Sequence, residues 1–119
     1  MGQQIKNNSI NYIEFPMRNP GGTRHFYERV FGWEFTEWGP TYLSFTGAAV
    51  EGGFNMDGDV TVRAPGVLVV LYAEDLEKIL QKILDVGGRI IKPIYEFPGG
   101  KRFHFADPNG NELAIWSDK

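Results

Sequence analysis

Apolar and polar residues alternate along Ile10-Asn11-Tyr12-Ile13-Glu14-Phe15, the period of a strand with one packed face. Asn19-Pro20 then supplies a helix start, with Asn19 as the cap and Pro20 at the first helical position. Thr23, Phe26, Tyr27 and Val30 follow at helical spacing, and Gly32 stops the helix. Three strands are expected over Trp33–Trp38, Tyr42–Phe45 and Ala48–Phe54, punctuated by Gly39-Pro40 and Gly47.

The second half repeats the plan. The run Val67–Tyr72 reads as a buried strand, and Asp75 caps a helix whose apolar face is Leu76, Ile79, Leu80 and Ile83. Gly87-Gly88 ends that helix. Three more strands are expected over Arg89–Tyr95, Arg102–Ala106 and Glu112–Trp116, the last two joined by the turn Asp107-Pro108-Asn109-Gly110. A shift of 56 positions carries Tyr12 onto Leu68, Asn19 onto Asp75 and Gly32 onto Gly88. Such agreement marks an internal repeat. The expected fold class is α+β: a single domain, 8–119, of two βαβββ units (8–56 and 66–119) joined by a linker, 57–65, and pairing into an incomplete curved barrel.

Period two sorts each strand into a helix-facing side and an inward side. Ile13 and Phe15 suit the helix, which leaves Tyr12, Glu14 and Pro16 inward. Phe103 and Phe105 leave Arg102 and His104 inward, and Leu113 and Ile115 leave Glu112, Ala114 and Trp116. The all-apolar run gives Leu68, Val70 and Tyr72 as its inward set. Tyr42 and Glu51 join them only if the short strands around Gly52-Gly53 keep their register. An apolar lining with a few convergent polar groups is the usual form of a small-molecule site.

Composition narrows the partners. With 119 residues the chain can build a core without staples, and it has no cysteine for disulfide, thiolate or zinc-thiolate chemistry. Net charge is −3, and no basic run exceeds Lys101-Arg102, so nucleic acid is not expected as a partner. The start of the chain lacks a secretory pattern and no apolar run approaches membrane-spanning length, which makes a cytoplasmic location the expectation and a membrane no partner.

Tyr12-Ile13-Glu14-Phe15-Pro16, Phe26-Tyr27-Glu28-Arg29-Val30-Phe31-Gly32-Trp33 and Phe105-Ala106-Asp107-Pro108-Asn109-Gly110-Asn111-Glu112-Leu113 together resemble the vicinal oxygen chelate superfamily. That group includes glyoxalase I, bleomycin-resistance proteins and extradiol dioxygenases. The resemblance implies the paired βαβββ fold and, in the metal-dependent members, a divalent ion held by inward His and Glu side chains. The matching positions are Tyr12, Leu68 and Ala114, with Glu51 near the remaining one. Leucine and alanine carry no donor atom, so the resemblance implies a lineage whose usual metal site is lost. It also implies a homodimer.

Three readings of the chemistry follow. In the first, the chain binds a small organic molecule without a metal cofactor, either sequestering it or acting on it by undemanding acid–base chemistry. Glu14 and His104 form a proton-transfer pair, Arg102 holds an anionic group, and Tyr12, Tyr42, Glu51, Leu68, Val70 and Trp116 complete the pocket. In the second, Glu14, Glu51 and His104 form a relocated divalent-metal site for a lyase, isomerase or dioxygenase related to lactoylglutathione lyase. The third is an interaction module without chemistry. Glu14, on a strand expected to be central, needs a partner, which Arg102, His104 or a ligand would supply. His25, between Arg24 and Phe26 on the helix, reads as a surface residue. Phe97–Arg102 reads as a hairpin loop, or as a lid with an anion-binding tip.

Overall fold

The computed structural model describes residues 6–58, 60–64 and 66–119. The chain falls into two units, the first ending at Val62 and the second starting at Arg63, a division inside the segment that composition marks as a linker. The first unit runs β1 (Tyr12–Pro16), α1 (Pro20–Phe31), β2 (Glu34–Glu37), β3 (Tyr42–Thr46) and β4 (Glu51–Asn55). The second runs β5 (Val69–Tyr72), α2 (Leu76–Asp85), β6 (Arg89–Phe97), β7 (Gly100–Ala106) and β8 (Glu112–Ser117). Strand order is β1-β4-β3-β2 in one sheet and β5-β8-β7-β6 in the other. In each, the first pair is parallel and the rest antiparallel. The fold class is therefore α+β, with the same βαβββ plan used twice.

The helix starts follow from local chemistry. Asn19 accepts the Gly22 backbone N–H at 2.9 Å and Asp75 accepts that of Lys78 at 3.1 Å, so each cap satisfies a donor that the first turn leaves free. Gly32 stops α1 in the left-handed conformation, φ 75°, where its N–H reaches Glu28 O at 3.0 Å. The buried positions of α1 are Thr23, Phe26, Tyr27 and Val30, as the spacing predicts. They meet an aromatic core: Tyr27 stacks on Trp33 at 4.8 Å and contacts Phe54 at 5.0 Å, and Trp33 stacks on Phe45 at 4.6 Å. Burying each such ring stabilises the unit by about 2–3 kcal/mol before entropy is counted. In the second unit Leu76 and Ile83 of α2, with Phe103, Phe105, Leu113 and Ile115 of the sheet, are buried.

Four expectations need correction. The helix stops do not align at the 56-residue shift, because α2 ends at Asp85 with Val86 as its cap. The strand expected over Ala48–Phe54 begins only at Glu51, since Gly47 and Ala49 adopt positive φ (100° and 69°) and bend the chain out of the ladder. Val67–Tyr72 is not a buried strand: Val67 is 93 % exposed and pairing starts at Val69, an alternation that an all-apolar run hides. β1 is terminal in its sheet rather than central, so the burial expected of Glu14 does not hold and its side chain is exposed.

Candidate functional site

On the second sheet, cross-strand pairing sets the far face, away from α2, in rows. Tyr72, Trp116, Arg102 and Tyr95 lie opposite one another across the four strands, and Val70, Ala114, His104 and Lys92 form the next row. Tyr95 reaches this face through an irregularity. The β6–β7 register shifts between Lys92 and Tyr95, beside Pro93, so residues three apart point the same way.

His104 is the best-enclosed polar group on that face, 4 % exposed. Its Nδ1 lies 2.8 Å from Glu112 Oε2 and its Nε2 lies 2.9 Å from Tyr95 Oη. Arg102 Nε donates to the same Tyr95 oxygen, and its guanidinium lies 5.6 Å from the Tyr95 ring centroid and 5.7 Å from that of Phe97. For a neutral imidazole the proton directions are determined. The Glu112 carboxylate only accepts, so Nδ1 carries the hydrogen; Nε2 then accepts from the Tyr95 hydroxyl, whose oxygen accepts from Arg102. A cavity of about 170 Å³ opens here, lined by Gly66, Leu68, Lys92, His104 and Glu112.

Charge on this face is unevenly matched. Glu112 is engaged by His104, while Arg102 and Lys92 meet no carboxylate among the described residues. Among the described residues the half-buried Arg102 therefore has no counter-ion; its guanidinium lies near the rings of Tyr95 and Phe97, and Trp116 is its cross-strand neighbour on β8. At the rim, Tyr72 Oη donates to Asp118 Oδ1 at 2.5 Å; that bond holds the Tyr72 phenol above its ordinary range and the Asp118 carboxyl below its own.

The first sheet carries a different array on its far face. Tyr42 Oη donates to Glu14 Oε1 at 2.9 Å, Asn55 Nδ2 donates to Glu14 Oε2 at 3.2 Å, and Tyr12 Oη stands 2.7 Å from Tyr42 Oη. Because the Tyr42 proton goes to the carboxylate, Tyr12 donates to Tyr42. Burial above all, then the bonds with Tyr12 and Glu14, keeps the Tyr42 phenol protonated well above the usual tyrosine range. Gly53 makes room for this cluster: a Cβ there would stand 2.3 Å from Tyr42 Oη and 2.7 Å from Tyr12 Oη. Within its own unit Glu14 is thus held by Tyr42 and Asn55, partners that the sequence reading does not name.

The structure brings Val70, Arg102, His104 and Trp116 into adjoining rows of the second sheet, with Leu68 on the cavity wall beside them. Tyr12, Glu14 and Tyr42 gather on the first sheet, and Glu51 pairs with Tyr12 across β1 and β4. Sequence reasoning places Glu112 inward but gives it no role, and it misses Tyr95 and Lys92. His25 is exposed, as expected. Phe97–Arg102 forms a tight hairpin in which Phe97 pairs with Gly100. A larger hollow of about 440 Å³ lies at the start of α2, lined by Glu74, Asp75, Glu77, Lys101 and Lys119 among others. It holds no gathered network comparable to that around His104.

The profile of the Glyoxalase/Bleomycin resistance protein/Dioxygenase superfamily matches residues 9–115. The chain belongs to that superfamily. Among curated proteins, "Putative glyoxylase CFP32" of Mycobacterium bovis is 21% identical over 95% of this chain and 47% of its own length, so the chain spans about half of that relative. Its namesake in Mycobacterium tuberculosis gives the same figures. Among solved structures, a glyoxalase/bleomycin resistance protein/dioxygenase family enzyme from Burkholderia phytofirmans PsJN superposes with a TM-score of 0.76 at 18% identity, covering 92% of this chain and 98% of that one. The fosfomycin resistance protein FosX from Listeria monocytogenes gives 0.76 at 15%, covering 96% and 94%. Identities this low establish the shared fold and leave the chemistry to the site itself.

Divalent ions serve many members of the superfamily. Leu68 and Ala114, at the positions where the metal-dependent members carry ligands, have no donor atom. Among the described residues no three His, Asp or Glu side chains gather into a metal-holding set. Of the alternative ligands, Glu14 and Glu51 belong to the first unit and His104 to the second. No described helix is long and apolar enough to cross a membrane.

Proposed function

We propose that this chain binds a small organic anion on the far face of the second sheet and moves a proton there by acid–base chemistry that does not depend on a metal ion. The observation that carries this reading is the enclosed His104, held between Glu112 and Tyr95 beside an arginine that meets no carboxylate among the described residues. The guanidinium supplies a forked donor for a carboxylate or similar anion, and the adjacent rings of Trp116, Tyr72 and Phe97 suit an apolar or aromatic body. Glu112 orients the imidazole and offsets the charge it takes on when it accepts a proton. Glu14, whose two oxygens each accept one bond, from Tyr42 and Asn55, is assigned to the polar array of the first unit rather than to proton transfer with His104.

The test is a comparison of matched pairs, such as benzoate with benzamide and phenylacetate with phenylacetamide, by amide NMR titration. Carboxylates should bind at least about tenfold more tightly than their amides, the worth of one charge-assisted contact, with the largest shifts along β7 and β8. Arg102→Met should erase the difference. Equal affinity for acid and amide, or shifts confined to other elements, would overturn the proposal.

A further inference from the structure

We infer that Tyr95, rather than His104, is the group that exchanges a proton with the bound molecule, with His104 as the base behind it; this rests on the anion-binding reading above. His104 has both ring nitrogens committed, Nδ1 to Glu112 and Nε2 to Tyr95, and it is 4 % exposed. No nitrogen is left to meet a ligand unless the network breaks. Tyr95 is only half-buried, and its oxygen is where the chain of hydrogen bonds from Glu112 ends against Arg102.

Arg102 Nε donates to Tyr95 Oη, the Tyr95 hydroxyl donates to His104 Nε2, and His104 Nδ1–H donates to Glu112. When a weakly acidic proton leaves the ligand for Tyr95 Oη, the Tyr95 proton passes to Nε2. The ligand keeps the electron pair, the imidazole becomes an imidazolium facing Glu112, and the reverse transfer restores every group. No oxidant, reductant or further reactant is needed. Arg102 is placed to stabilise negative charge on the phenol oxygen and on the ligand alike. The arrangement has the logic of a nucleophile–base–carboxylate triad with a phenol in the first position. It uses residues other than those at the superfamily's metal positions. The register shift beside Pro93 turns Tyr95 onto this face.

Such a phenol should be captured by a sulfonyl fluoride bearing an anion. The probe is 4-(fluorosulfonyl)benzoate: the Tyr95 oxygen bonds to sulfur, fluoride leaves, and the phenol proton goes to His104. Peptide mass spectrometry should find one adduct per chain, on Tyr95, and none there in Tyr95→Phe. His104→Gln should slow labelling at least about tenfold, the low end of what a positioned base contributes. Glu112→Gln should slow it less, and serves if the His104 variant does not fold. Labelling of Lys92 or of other tyrosines instead, or a Tyr95 rate unchanged in both variants, would overturn the inference. Reversible binding of 4-sulfamoylbenzoate separates the two readings. Binding without Tyr95 labelling refutes the role of Tyr95 and leaves the anion site standing. Without binding, the anion site fails, and neutral benzenesulfonyl fluoride decides the relay alone: a His104-dependent rate supports it and an independent rate refutes it.

Discussion

Two adjacent glycines of β4 offer a direct test of which sheet face is packed. A Cβ on Gly52 would stand 2.2 Å from Ile13 O and 2.5 Å from Phe45 Cζ. Comfortable carbon contacts begin near 3.5 Å, so both approaches are short by about an ångström or more. The first obstacle is backbone of the register partner in the parallel pair and cannot rotate away. The second is a ring already stacked on Trp33 at 4.6 Å. Relief requires prising β1 from β4 or displacing Phe45, a strain at or above the top of the usual overpacking range of about 1–3 kcal/mol. Against this, replacing glycine stiffens the unfolded chain and returns about 0.4–1 kcal/mol. Gly52→Ala should therefore cost about 2–3 kcal/mol, a fall in Tm of roughly 10 °C for a chain of this size.

Gly53 faces the other way. Its added Cβ would meet only the ends of Tyr42 and Tyr12, side chains that can swing aside. What is lost is the Tyr12–Tyr42–Glu14 chain, of which the exposed Tyr12 and Glu14 can bond to water instead, so Gly53→Ala should cost about 1 kcal/mol or less. The assay is urea unfolding of the two variants and the parent, followed by tryptophan fluorescence with buried Trp33 as reporter. A gap of less than about 0.5 kcal/mol between the variants, or Gly53→Ala as the weaker one, would refute the face assignment and the placement of Tyr12, Glu14 and Tyr42 built on it.

Two further outcomes are expected. Asp107 accepts the backbone N–H groups of Asn109 and Asn111, both at 2.9 Å, and the Asn111 side-chain amide at 3.1 Å, all within a buried turn. Asp107→Ala should lower the unfolding free energy by about 3 kcal/mol or more in denaturant titrations, and a change under 1 kcal/mol would refute the role. The raised pKa of Tyr42 ties folding to pH: the folded chain holds that proton more tightly than the unfolded one, so this contribution is complete below about pH 10 and is lost as pH rises further. Stability should thus fall more steeply above pH 10 in the parent than in Tyr42→Phe, and parallel curves would refute the effect.

The repeat, the helix caps and the family were legible because each rests on local chemistry: Asn19 and Asp75 as caps, Gly32 as a stop, and the turn after Asp107 all act within four residues. The far-face set of β7 and β8 was legible because Phe103, Phe105, Leu113 and Ile115 alternate cleanly with Arg102, His104, Glu112 and Ala114. Where alternation fails, so does the reading. Val67–Tyr72 offers no polar residue to mark its parity. Strict period two along β6 from Lys92 gives Ile94 and Glu96, and the register shift substitutes Tyr95. Pro93 inside a strand was the available sign of that shift. The partner of Glu14 was missed for a different reason. Tyr42 and Asn55 lie 28 and 41 residues away, and only the strand order β1-β4-β3 brings them beside it.

Ladder pairing also makes the two units comparable position by position, and the comparison says which of them suits proton transfer. Glu14 pairs with Gly53 and Gly53 with Ser44 in the first sheet; Val70 pairs with Ala114 and Ala114 with His104 in the second. One row along, Tyr42 stands where the other sheet has Arg102. The far face of each sheet carries a carboxylate in a hydrogen-bonded network, Glu14 in the first and Glu112 in the second, but with different donors. In the first, the phenol of Tyr42 and the amide of Asn55 clamp Glu14. Neither ordinarily changes charge near neutral pH, and Tyr42 is held further from doing so. In the second, the donor to Glu112 is an imidazole, whose two nitrogens can give and take a proton, and the neighbouring cation is permanent. The same ladder thus carries a carboxylate clamped by a phenol and an amide in one unit, and in the other the imidazole-centred network on which the proposed relay rests. A search for turnover belongs with His104, Glu112, Tyr95 and Arg102, while Tyr12, Glu14 and Tyr42 are where a bound molecule would find fixed polar contacts.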